Sequence, residues 1–103
     1  MAEQNNGNEM DMLVMADQFI NTANALVGDS KQDVSRVGGA MCYAVARFNA
    51  HEASSKTTDL VATRDEAIEW FSNQYKEMLT GNIDQYIELA KQQADKEVSA
   101  SKS

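Results

Sequence analysis

The chain is poor in the side chains that carry chemistry. Its 103 residues include one histidine (His51), one cysteine (Cys42), one tryptophan (Trp70) and no proline. A single cysteine excludes an intrachain disulfide. A single histidine excludes any centre that needs two imidazoles. The segment HEASS opens like the zinc-protease motif HExxH, but Ser55 stands where the second ligand is required. Phe48 occupies the position that would complete a Glu-x-x-His di-iron motif with His51. No metal, cofactor or catalytic cluster is therefore expected, and the chain leans away from being an enzyme.

Positive charge is also scarce. Nine Lys and Arg face sixteen Asp and Glu, for a net charge of −7. Phosphate recognition needs a basic face, and here the basic residues are scattered singly, so nucleic acid is not an expected partner. Acidic mimicry of nucleic acid is a further alternative, although acidity more often serves solubility. No apolar run approaches the roughly 20 residues that span a bilayer. The first residues lack a basic segment followed by an apolar one, so no signal peptide is read there. The expectation is a cytoplasmic protein with no membrane contact.

What is present is helical. The absence of proline, the five glycines and the 3.6-residue spacing of apolar positions predict an all-α protein. The reading is a compact bundle of four helices at about 9–27, 34–54, 59–80 and 83–96, with helix 2 central and sequential helices antiparallel. Residues 9–96 form a single helical domain in this reading. Residues 1–8 and 97–103 are expected to be disordered tails, because they have little to bury against the entropy of ordering.

Local signals set the boundaries. Asn8 is read as the cap of helix 1, Gly28 as its stop and Asp33 as the cap of helix 2. Gly81 is read as a left-handed terminator of helix 3. Asn82, with Gln85 three residues on, is read as a capping box opening helix 4. Helix 1 has the stripe Met12, Met15, Ala16, Phe19, Ala23, Leu26 and Val27, with Met10 and Val14 outside it. Helix 2 has two apolar sides. Val34, Val37, Met41, Ala44, Val45 and Phe48 form one; Gly39, Tyr43, Ala46, Ala50 and Ala53 form the other. A helix apolar on two sides is usually covered on two sides. Gly38 and Gly39 each cost about 1 kcal/mol of helix propensity relative to Ala, which is explicable if another backbone passes close.

The words AVARFNA (44–50), RDEAIEWFSNQYKEML (64–79) and NIDQYI (82–87) resemble a small bacterial family known as domain of unknown function 3144. The resemblance covers about residues 10–91. It implies a compact helical domain of bacterial origin. It brings no activity, cofactor or catalytic residue to any position of this chain.

Three groups of residues stand out as sites. Tyr43, Arg47 and His51 recur every four residues on one face of helix 2. A guanidinium between a phenol and an imidazole suits a carboxylate or phosphate, so these three form a candidate ligand site. The plainer reading pairs Arg47 with Asp17, Glu66 or Glu69. Gly39, Tyr43, Ala46, Ala50 and Trp70 form a candidate interface. Pairing helix 2 against helix 3 brings Glu52 to Arg64 and predicts a structural salt bridge. Cys42, among apolar neighbours, reads as a small buried hydrophobe. Met12, Met15, Met41 and Met78 are read as core.

Taken together, the sequence points to a non-catalytic helical interaction module that forms a homodimer or binds a protein partner. The alternative is a small-molecule anion binder or weak enzyme built around Arg47, Tyr43 and His51.

Overall fold

The computed structural model describes residues 9–102. They contain three helices: α1 (Met12–Gly28), α2 (Val34–Ser55) and α3 (Leu60–Lys102). No strand occurs among the described residues. The all-α class stands. The four-helix bundle, with helix 2 central and sequential helices antiparallel, is corrected: helices 3 and 4 are one helix of 43 residues.

The physical reason lies at residues 78–82. Gly81 is helical, with no positive-φ glycine among the described residues. Asn82 is not a cap; its side-chain Nδ2 donates to the carbonyl oxygen of Met78 at 2.8 Å. A glycine in a helix costs about 1 kcal/mol relative to Ala, which slows but does not stop propagation. Nothing here forbids the next turn, because no proline follows. The stripe also keeps its phase: Leu79, Ile83, Tyr86 and Ala90 fall at i, i+4, i+7 and i+11. The helix then runs to Lys102, through residues expected to be a tail. The other expected tail, residues 1–8 with the Asn8 cap, lies outside the described residues.

The described residues fall into two units, divided between His51 and Glu52. In the first unit, Asp11 caps α1, its Oδ1 accepting from Leu13 N at 2.8 Å. The turn after α1 has Lys31 at φ 57°, the one positive-φ non-glycine among the described residues. There Gln32 N reaches back to Leu26 O at 2.9 Å and Asp29 N to Ala25 O at 2.8 Å, which satisfies carbonyls at the helix end. Asp33 opens α2 as its sequence position predicts. Its Oδ2 accepts from Ser35 N at 3.1 Å and from Ser35 Oγ at 2.5 Å. In this unit Val37 is buried, and Ala23, Val27, Met41 and Asn49 are half-buried.

In the second unit Asp59 starts α3. Its Oδ1 accepts from Ala62 N at 3.1 Å, and its own N donates to Thr57 Oγ1 at 3.0 Å. Both partners satisfy donors that the first turn of a helix leaves open or fix the entry of the chain into it.

Burial departs most from expectation. Val37 is the one buried hydrophobic residue among those described. Met12, Met15 and Met78 of the expected core are exposed, as are Met10 and Val14 outside it. Phe19 is 70% exposed and Phe48 67%. Full burial of such a side chain contributes roughly 1.5–3 kcal/mol. These faces have most of that stabilisation still to gain.

Candidate functional site

The ligand triplet lies on one stretch of α2, as its spacing requires. Tyr43, Arg47 and His51 are all exposed. His51 tilts toward Phe48, with ring centroids 6.4 Å apart. Lys56 pairs with Glu52 and Arg64 with Asp65, and Arg47 enters neither pair. An exposed guanidinium beside an exposed phenol is open to water. Any anion it bound would have to compete with water at high dielectric, where a charge pair gains little.

The Glu52–Arg64 bridge is not the pairing that Arg64 makes. Arg64 Nη1 donates to the adjacent Asp65 at 2.5 Å. Glu52 Oε2 accepts from Lys56 Nζ at 3.1 Å, one helical turn on. Each residue found an opposite charge within its own segment, where holding the pair restricts less chain. An exposed i, i+4 pair of this kind contributes about 0.3–0.5 kcal/mol.

Within the second unit, an open groove of about 400 Å³ runs beside the start of α3. Ala53, Lys56 and Thr57 form one side, and Thr63, Glu66, Ala67, Trp70 and Phe71 the other. Trp70 meets Phe71 edge to face, with centroids 5.1 Å apart and planes at 86°. The sequence signal for this feature was Trp70 standing on the shoulder of the stripe, next to Phe71. The groove is mainly apolar and has one charge of each sign, Lys56 and Glu66.

The interface candidates Gly39, Tyr43, Ala46, Ala50 and Trp70 are exposed, Tyr43 at 69% and Trp70 at 57%. A Cβ added at Gly38 or Gly39 meets nothing within 4 Å, so no close backbone accounts for these glycines here. Cys42 is a free, exposed thiol, which corrects its reading as buried. On a helix apolar on two sides, being apolar did not decide which side was covered.

Exposed apolar residues continue along α3. Ile68 is 50% exposed, Tyr75 52%, Met78 49%, Ile83 49%, Tyr86 74% and Ile87 48%. Ile68, Tyr75, Ile83 and Tyr86 fall on one face across the two segments first read as separate helices, with Met78 and Ile87 to either side of it. Among the described residues no three His, Cys, Asp or Glu side chains gather as a metal site needs. None of their helices is long and apolar enough to cross a membrane.

These features define an all-α chain that turns long apolar helix faces outward. The family model described as "Protein of unknown function (DUF3144)" matches residues 12–87, and the chain belongs to that family. The match begins at the first residue of α1 and passes through Gly81 into the second half of α3. No curated protein and no solved structure matches the chain.

Proposed function

We propose that this protein is a non-catalytic helical interaction module, cytoplasmic and bacterial, that associates with a copy of itself or with a protein partner. The observation that carries the reading is the exposed apolar stripe of α3. Helices draw most of their stability from packing an amphipathic face, not from propensity. A stripe of this length in water is an unmet demand for a partner. Native mass spectrometry on protein purified gently from its own source tests the proposal. A dimer, or a complex with a second protein, is the expected result. A monomer, bare or carrying a small extra mass, would overturn it.

Arg47 favours a second reading, since neither the Lys56–Glu52 nor the Arg64–Asp65 pair involves it. In that reading Arg47, Tyr43 and His51 hold an anionic small molecule. A small extra mass that disappears in Arg47→Ala would establish it in place of the first.

A further inference from the structure

We infer that the groove at the start of α3 receives an arginine side chain of a protein partner, its guanidinium meeting Glu66 and Trp70. The inference rests on the interaction-module reading and gives the chemistry of one partner contact.

The floor of the groove is mainly apolar. Ala53, Ala67 and Phe71 are half-buried there, with Thr57 and Thr63 beside them. The rim is of another kind. Glu66 and Trp70 are exposed and stand four residues apart, which sets them on one side of α3. Lys56 is the other charge at the groove, and its ammonium is held by Glu52 at 3.1 Å. Arg64 is likewise met by Asp65. Glu66 enters neither pair. The groove therefore offers a carboxylate and an indole above an apolar floor, with its own cation already matched.

Charge sets the sign of the occupant. Residues 52–71 contain five acids (Glu52, Asp59, Asp65, Glu66 and Glu69) against two bases (Lys56 and Arg64), a net of −3. Such a surface draws cations and repels anions.

Form sets its source. The groove is open, whereas a site for a free small molecule buries about 70–90% of its ligand. A side chain presented by a protein needs no such enclosure, because the contacts around it exclude water. Arginine has the matching layout. Its methylene stem suits Ala67 and Phe71, its planar guanidinium stacks on an indole, and its forked donors pair with a carboxylate. Lysine supplies the stem and the charge but neither the plane nor the fork. The apolar stem also separates this site from the exposed Arg47, where charge alone would have to compete with water.

Peptide binding to the full chain tests this, read by the fluorescence of Trp70, the chain's one tryptophan. The probes are a short peptide with arginine between leucines and the same peptide with citrulline, a neutral isostere, in its place. Saturable binding of the arginine peptide is expected, with the citrulline peptide weaker by roughly tenfold, the effect of losing a charge-assisted contact. Glu66→Gln should keep its helix content by circular dichroism and lose that preference. Equal binding of the two peptides, or saturation by neither, would overturn the inference. So would a preference that survives in Glu66→Gln, because the guanidinium would then be read elsewhere. Saturable quenching by choline in place of the peptide would give the groove to a small organic cation and overturn it too. Shielding of Trp70 from acrylamide in a dimer of the pure chain would mean that a second copy fills the groove, with the same consequence. In each of these cases a dimer or a mixed complex in native mass spectrometry leaves the module reading intact, and a monomer removes it.

Discussion

The side-chain amide of Asn82 donates to the carbonyl oxygen of Met78 at 2.8 Å, within an unbroken helix. That bond shows how the chain passes a point where its sequence spells a stop. Asn82 has the chemistry of a helix cap, yet it turns its amide back one turn and lets the backbone continue. The 43-residue length of α3, and with it the long apolar stripe, depends on this passage.

Gly81 gives the matching prediction. It lies in helical conformation, and a Cβ added to it meets nothing within 4 Å. Gly81→Ala should therefore stabilise the protein by about 1 kcal/mol, the propensity difference between the two residues in a helix interior. A left-handed terminator would behave oppositely, because Ala is strained where φ is positive. Urea unfolding followed by far-ultraviolet circular dichroism gives the sign.

Lys31 is the reverse case. It occupies φ 57°, where a side chain crowds its own backbone. Lys31→Gly should raise stability by roughly 0.5–1 kcal/mol, the relief of that crowding less the added freedom of the unfolded chain. A loss of stability in the same unfolding experiment would show that the turn after α1 does not hold this conformation.

Asp33 links the start of α2 to pH. The hydrogen bond from the Ser35 hydroxyl, then that from the Arg36 backbone, holds its carboxyl below its ordinary value, against a small opposing effect of desolvation. The folded state thus binds this proton more weakly than the unfolded state does. The contribution is complete above the ordinary carboxylate range, near about pH 4, and is lost as pH falls through the lowered folded value. Asp33→Asn should destabilise the protein at neutral pH and converge with the parent in acid. A difference that stays constant from neutral pH to about pH 3 would contradict this assignment.

Much of the local structure was legible in the sequence. Helix 2 was read at 34–54 and is found at Val34–Ser55, because Asp33 has no rival as a cap and Ser-Lys-Thr-Thr ends the periodic pattern. Helix 1 was read three residues too long at its start, where Asp11 takes the cap. The misreading of Gly81–Asn82 has a physical source. Glycine and asparagine favour a helix end only when the following residues offer a better alternative, and Ile83 to Ala90 continue the same stripe in phase. That phase was the available signal for one helix. Burial was the least legible property. Periodicity shows which face of α3 is apolar but not what covers it, so Met12 and Met78 passed for core and Cys42 for a buried thiol. Tyr43, Arg47 and His51 do share a stretch of α2, yet spacing along a helix gives alignment, not enclosure. Arg64 and Glu52 were matched across the chain when each had an opposite charge one residue or one turn away.

The account holds that these helices owe their stability to association, and the most direct measurement is the melting temperature as a function of protein concentration. A fold completed by a partner copy unfolds with dissociation, so its melting temperature must climb as the chain is concentrated. A steady rise across dilutions spanning micromolar to millimolar is the predicted result. A single cooperative transition at a temperature independent of concentration would contradict the account, because it would show a chain that stabilises its helices alone.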